Sequence, residues 1–297
     1  MSYEFKPTTI EEFNRVLNEI DSKDLSVYSR NLLAREQGLR GEELVYKILE
    51  KYCDKIHSNV VVWNNRHTFA TEMDFICRSK NQWFLIEVKN WYGEITFFGK
   101  EKVVVENINL KEKKHHTERT NPIYTVGAYR KDFKKYCKEI LNLDINGLLI
   151  KKIVVFTRDK VDFIFDKEYT GSTEILKLKD LDNYFQLLQN IESNELDLPD
   201  DLPSWDIFYS NKGFSLGLLL NDEVMIDNHS IKTSSISTIA FGYGNENSRI
   251  ELNDGTIISG YINFEDIRII GDRIFRRTGI QFMKLNKLVH LNTYVDK

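Results

Sequence analysis

The sequence predicts an α/β core, a mixed sheet flanked by helices, followed by a small all-β antiparallel domain. Three observations lead there. Apolar residues recur at helical spacing in the first 52 residues. Between residues 60 and 191, short runs rich in β-branched and aromatic residues alternate with further helical stretches. Beyond an acidic, proline-containing segment near residue 200, only short strand-like runs remain.

Taken in order, Thr8 and Thr9 are caps for a helix carrying Ile10, Phe13, Val16, Leu17 and Ile20 at helical spacing. A second helix is expected from Gly41 to Tyr52, with Val45, Leu49 and Tyr52 on one face. Val60–Trp63, Met73–Cys77 and Trp83–Lys89 read as strands, and Ile95–Phe98 with Lys102–Glu106 as a hairpin around Gly99-Lys100. Asn121-Pro122 opens a helix reaching about Leu141, and Leu148–Phe156 is a buried strand. Asp180 is the expected cap of a helix from Leu181 to Ile191.

Residues 192–206 hold six acidic residues, no Lys or Arg, and the breakers Pro199 and Pro203. The organisation expected is therefore an N-terminal helical extension over 1–34, an α/β domain over 35–192, a linker over 193–206 and a β-rich accessory domain over 207–297. The last should be a meander or barrel, with Asp254-Gly255 as a hairpin turn.

With 41% hydrophobic and 29% charged residues among 297, the composition is globular and excludes a disordered chain. The net charge of −4 rules out holding nucleic acid by bulk charge, so any polyanion needs a local basic patch. Cys53, Cys77 and Cys137 are far apart and form no C-x-x-C pair, which argues against a disulfide framework or a cysteine zinc site. Met1–Phe13 lacks the apolar core of a signal peptide, and Leu148–Ile150 and Leu218–Leu220 are too short to span a bilayer. A cytoplasmic protein with no membrane partner is the expectation.

The charges in the strands carry chemistry. In Trp83-Phe84-Leu85-Ile86-Glu87-Val88-Lys89, apolar residues occupy both parities, so the strand is buried on both faces. Glu87 and Lys89 nevertheless lie within it, two residues apart and on one face. Burying each charge costs several kcal/mol unless they neutralise one another or do chemistry. A hairpin centred between Lys80 and Asn81 sets Asp74 opposite Glu87. Two facing carboxylates need a cation; Lys89 supplies part, and a divalent ion held by two carboxylates and water is the fuller answer. Glu42 falls on the apolar face of its helix with Val45 and Leu49, whereas Glu43 aligns with Tyr46, Lys47 and Glu50 on a solvent face.

Asp74 followed by Glu87-Val88-Lys89 resembles the D…(D/E)-x-K signature of the PD-(D/E)XK nuclease superfamily. Gly41-Glu42-x-x-Val45, Glu72-Met73-Asp74, Ile86-Glu87-Val88-Lys89-Asn90-Trp91, Gly93 and Asn121-Pro122 together resemble the nuclease-related domain, NERD, over residues 35 to 190. The resemblance implies a restriction-endonuclease-like core and metal-dependent hydrolysis of phosphodiester bonds, with Mg²⁺ as cofactor and Mn²⁺ able to substitute. It implies Asp74, Glu87 and the Val88 carbonyl as metal ligands, Lys89 as the group that orients or deprotonates water and covers phosphorane charge, and Glu42 as an outer ligand or water holder. Such domains often carry Gln where this chain has Thr125, with Tyr four residues later, here Tyr129. Thr125 cannot make the paired contacts of an amide.

Lys111 to Lys138 holds nine basic residues against three acidic ones, in what reads as a charged loop and a helix face. Within it Lys111, Lys113, Lys114, Arg119, Tyr129, Arg130 and Lys134 are the candidates for contacting nucleic acid. DNA is the favoured substrate over RNA, and by analogy the chain would serve as a stand-alone effector in defence or DNA processing. Two other readings stay open: a non-catalytic nucleic-acid-binding module, and a sensor whose β domain binds a protein or ligand. A homodimer also stays open.

Overall fold

The computed structural model describes residues 25–63, 70–98, 100–108, 114–165, 171–190, 197–200, 202–204, 206–210, 213–240, 247–271 and 281–284. The expected helix at Thr8–Ile20 lies outside them. The chain divides into two compact units, one of residues 34–65 and 71–202, the other of 1–33, 66–70 and 203–297.

The first unit is built on a five-stranded sheet ordered β1 (Lys55–Trp63), β2 (Ala70–Ser79), β3 (Gln82–Lys89), β7 (Ile150–Phe156) and β9 (Thr173–Lys177). β2 and β3 are antiparallel, whereas β3, β7 and β9 run parallel, so the sheet is mixed as expected. Every residue of β3 from Gln82 to Val88 is buried, because helices cover both faces of this central strand. On one face, Phe75 meets Tyr46 of α1 (Leu25–Tyr52), and Phe84 packs edge-on against Phe185 of α3 (Leu178–Gln186). On the other, α2 (Pro122–Glu139) lays Val126, Phe133 and Tyr136 over a core that includes Ile76, Leu85, Val154 and Phe156. Each large apolar side chain buried there stabilises by about 1.5–3 kcal/mol.

A second sheet, ordered β6 (Lys114–Thr120), β5 (Lys102–Ile108), β4 (Gly93–Phe98) and β8 (Val161–Phe165), shares that core through Ile95, Phe97, Val103, Val105 and Val161. β4 and β5 form the expected hairpin. The basic segment after it is not a loop: Lys114–Thr120 pairs along its length with β5 as an exposed edge strand. A charged edge strand shows no apolar period, yet the ladder satisfies its backbone and its charges deter pairing with another chain. Gly93 turns the chain from β3 into β4. Its φ is +96°, and a Cβ there would lie 2.2 Å from the Glu106 carbonyl oxygen, so only glycine fits.

Three expectations need correction. The helix before the sheet begins at Leu25, not Gly41, and passes through the expected boundary at residue 34. α3 is capped by Lys177, with no side-chain hydrogen bond, and Asp180 lies in its first turn. Part of the expected linker belongs to the first unit. Leu198 and Leu202 are 2% and 0% exposed in its core, while Asp197 and Asp200 are drawn onto Lys55, each at 2.7 Å, and Asp197 also accepts from Arg78 at 2.9 Å. The acids look like linker residues in sequence because their cations lie more than 100 residues upstream.

In the second unit, β10 (Asp206–Ser210), β11 (Gly213–Leu219), β14 (Ile236–Ala240), β15 (Ser248–Leu252), β16 (Ile257–Gly260), β17 (Ile269–Gly271) and β18 (Gln281–Lys284) form one sheet. β12 (Glu223–Ile226) and β13 (His229–Lys232) form a separate hairpin. All recorded pairings are antiparallel, and the β15–β16 hairpin turns at Asp254-Gly255, with Gly255 at φ +85°. The order β16-β15-β14-β18-β10-β11-β17 is not a meander, because β18 inserts between β14 and β10.

Gly93→Ala should destabilise the first unit by at least about 2 kcal/mol, since positive φ and a backbone clash act together; denaturant unfolding followed by tryptophan fluorescence measures it. A chain of residues 25–202 should unfold cooperatively. One of residues 25–190 loses Leu198 and Leu202 and should be less stable by about 3 kcal/mol or more. Equal midpoints would show that the 197–202 segment adds nothing to the core.

Candidate functional site

The site is set by the turn of one hairpin. Lys80 and Asn81 adopt φ of +50° and +65°, the two left-handed residues of a tight two-residue turn. This pins the register through Ser79↔Gln82, Arg78↔Trp83, Cys77↔Phe84, Ile76↔Leu85 and Phe75↔Ile86. The next step in that register sets Asp74 against Glu87, as the sequence predicts. The ladder ends there because Asp74 takes over: its Oδ2 accepts the Val88 N–H at 2.6 Å.

Glu87 is 2% exposed. Its Oε1 accepts from the Lys89 ammonium, and its Oε2 is buried with no hydrogen-bond partner. Burial pushes the Asp74 carboxyl well above its usual range. Glu87 and Glu42 add to the rise, which Lys89 and the Val88 N–H only partly offset. Burial also raises Glu87, against the pull of Lys89 and with a further push from Glu72. Lys89 is driven down by burial, but Glu87, Asp74 and Glu42 outweigh it and hold the ammonium above its ordinary value. Lys89 is thus a fixed cation among acids.

Glu42 reaches this group because Gly41 lets α1 lie close to the ends of β3 and β7. A Cβ at Gly41 would stand 3.0 Å from Thr157 Oγ1. Thr157 ties the two strand ends together: its N–H donates to the Lys89 carbonyl at 3.0 Å and its hydroxyl to Asn90 Oδ1 at 3.1 Å. Glu43 is not a solvent residue, as the helical period suggests; it is buried and paired with Lys47 at 3.0 Å.

Tyr129 of α2 also faces the acids. Burial raises its phenol strongly, and Glu87, Asp74, Glu72 and Asp132 add to the rise. Asp132 accepts from Thr71 Oγ1 at 3.2 Å. α2 starts at Asn121, whose Oδ1 accepts from Ile123 N at 3.0 Å, followed by Pro122. Thr125 turns its hydroxyl back to the Asn121 carbonyl at 3.1 Å, so it presents no donor to the site.

On the other side of Lys89, the Trp91 indole lies under two cations: the Lys89 ammonium at 5.9 Å and the Arg119 guanidinium at 5.1 Å from the ring centre. Trp91 is itself propped edge-on against Phe156. The exposed edge strand β6 thereby delivers Arg119 to the site. Lys111 and Lys113 lie outside the described residues, and Lys114 opens β6. His116 faces Glu106 at 3.4 Å. Arg130 and Lys134 lie on α2 beyond Tyr129.

Sequence reasoning missed Glu72. It stands two residues before Asp74 on β2 and so on the same face, a strand parity that marks it once Asp74 is chosen. Among the described residues no group of three or more His, Cys, Asp or Glu side chains stands ready to hold a metal ion. A cation would therefore rest on Asp74 and Glu87, through hard carboxylate oxygens of which Glu87 Oε2 is unclaimed, completed by backbone carbonyl and water.

Among the described residues no helix is long and apolar enough to cross a membrane. The model of the nuclease-related domain, NERD, matches residues 37–157, from within α1 to the end of β7, and so contains Glu42, Asp74, Glu87, Lys89 and Asn121-Pro122. No curated protein and no solved structure matches the chain.

The raised carboxyls make a stability claim. Asp74 and Glu87 titrate near pH 4 in the unfolded chain and higher when folded, so their favourable contribution is complete below about pH 4 and is lost as pH rises through the folded values. Asp74→Asn, which can still accept from Val88, should raise the metal-free melting temperature at pH 7 and flatten that decline. Added Mg²⁺ should raise the wild-type melting temperature and leave Asp74→Asn nearly unmoved. Calorimetry from pH 4 to pH 8, with and without Mg²⁺, reads both.

Proposed function

We propose, from the match of residues 37–157 to the model of the nuclease-related domain, that the chain is a metal-dependent nuclease that hydrolyses phosphodiester bonds, with DNA as the substrate. The observation that carries the reading is the buried Glu87 carboxylate. One of its oxygens is engaged by Lys89 and the other has no partner, beside a second carboxylate held at the end of the same hairpin. A chain keeps so costly an arrangement where it does chemistry.

Asp74, Glu87 and the Val88 carbonyl would hold Mg²⁺, or Mn²⁺ in its place. The bound ion would lower the pKa of its water and offset charge building on the phosphate. Glu42 and Glu72 would order water around that centre. Lys89, kept protonated by its acidic neighbours, acts as a donor that positions the attacking water and covers phosphate charge; in the metal-free site it is not a base. Arg119, braced on Trp91, is placed to meet the same phosphate or its neighbour. Tyr129, kept neutral, can donate its phenolic proton in a hydrogen bond on the α2 side. Lys111, Lys113, Lys114 and Lys134 would add weaker contacts with the strand.

Asp74→Ala, Glu87→Ala and Lys89→Ala should each lower Mg²⁺-dependent cleavage by at least about a hundredfold, the order lost when one charge-stabilising group is removed. Circular dichroism should still show a folded chain. Plasmid and single-strand substrates, with Mg²⁺ and with EDTA, measure this. Full activity in Asp74→Ala, or activity unaffected by EDTA, would defeat the assignment; binding without cleavage in the wild type would favour a non-catalytic binding module.

A further inference from the structure

We propose that Arg130, Lys152 and Thr173 form a subsite for one phosphate group of the nucleic-acid strand, the one next to the bond to be cut. The proposal rests on the nuclease reading above. Lys152 lies in β7, between β3 and β9, in register with Leu85 on one side and Thr173 on the other. Paired residues of a parallel ladder point to one face, so Lys152 and Thr173 stand side by side about 4.8 Å apart. Their face is the one that carries Glu87 and Lys89. Lys152 is two residues before Val154, the partner of Glu87. That is about 6.6 Å along the strand and about 4.8 Å across, or roughly 8 Å in all.

Lys152 is a half-buried cation in a strand that is apolar apart from it and Lys151, which points to the other face. Arg130 of α2, which packs against β7, is near enough for its charge to act on it. Burial and the Arg130 charge together press on the ammonium, and no carboxylate is among the groups acting on it. On the same face, β9 offers Thr173, Ile175 and Lys177, and Lys177 is turned to Asp162 at 3.4 Å. Among the described residues neither Arg130 nor Lys152 has an ion-pair partner. Thr173 is 7% exposed and its hydroxyl has no hydrogen-bond partner. Two adjacent cations and an unclaimed hydroxyl donor are a set that lacks an acceptor. A tetrahedral oxyanion supplies it, with the guanidinium fork, the ammonium and, after rotation about one bond, the hydroxyl each meeting an oxygen.

The test uses the full chain. Binding of a labelled single-stranded oligonucleotide is followed by fluorescence anisotropy in metal-free buffer over a range of salt. The double variant Arg130→Gln/Lys152→Gln should bind about tenfold more weakly, with a salt slope shallower by about 0.7, the share of one phosphate on a single strand. Thr173→Val should lose about threefold, the order of one hydrogen bond, while Lys152→Arg and Thr173→Ser stay near wild type. In Mg²⁺, an uncharged methylphosphonate at the phosphate next to the cut should slow the wild type and leave the double variant indifferent at that position. Unchanged affinity and slope in a folded double variant would overturn the subsite. So would inorganic phosphate or a mononucleotide stabilising the wild type alone while both proteins bind the strand equally, because the anion would then be a free one. Altered binding in a chain that cleaves nothing supports the subsite and defeats the nuclease reading; cleavage with unaltered binding does the reverse.

Discussion

The first unit depends on one conflict: two carboxylates brought together at the end of a buried hairpin. Asp74 and Glu87 repel each other and both lose hydration. Within β2 and β3 only Lys89 and the Val88 N–H favour the arrangement, and they offset its cost in part. It persists because the Lys80-Asn81 turn fixes the register and because the other face of the same strands, Phe75, Ile86 and Phe84, is locked into apolar contact with α1 and α3. A slip by one residue would relieve the acids and turn that whole apolar set to the wrong face. The core therefore holds the site in place, and the fixed charge of Lys89 makes the remaining cost bearable.

The strand ends are correspondingly over-determined. Thr157 bonds both Lys89 and Asn90, Gly41 admits the helix that brings Glu42, and Gly93 bends the chain away so that Trp91 can sit between the two sheets. None of these residues is chemically reactive. Each removes a freedom that would let the carboxylates drift apart, and preorganised charge is worth more than charge that must be gathered.

What could be read from the sequence follows from the range of the interactions. The β2–β3 register was legible because a two-residue turn is local, and parity then placed Asp74, Glu87 and Lys89 on one face. The start of α1 was not, because Gly38 and Gly41 each cost about 1 kcal/mol in a helix and argue for a break; what retains Gly41 is its approach to Thr157, over 100 residues away. β6 carries no apolar residue and exists through its ladder with β5. The 197–202 segment reads as linker until Lys55 and Arg78 are seen to neutralise it. In the site, Glu72 escaped because it falls outside the D…E-x-K spacing, and Arg119 was legible only as one charge of a basic segment, because its place on Trp91 is a long-range contact.

Charge is divided by position and not by amount. A chain of net charge −4 brings Glu42, Glu72, Asp74 and Glu87 together at the hairpin end and sets cations around them, Lys89 and Arg119 on Trp91 to one side and Arg130 with Lys152 to the other. Thr125 explains why α2 contributes by charge. Its hydroxyl is spent on the Asn121 carbonyl, so the first turn of the helix offers no amide to a substrate. Positioning then falls to the next turn, where Tyr129 faces the acids and Arg130, one residue on, is near enough for its charge to act on Lys152. Successive helical residues diverge by 100°. On the proposed reading, one turn of α2 would address both the reacting phosphate and a neighbouring one, which a single bidentate side chain at Thr125 could not do.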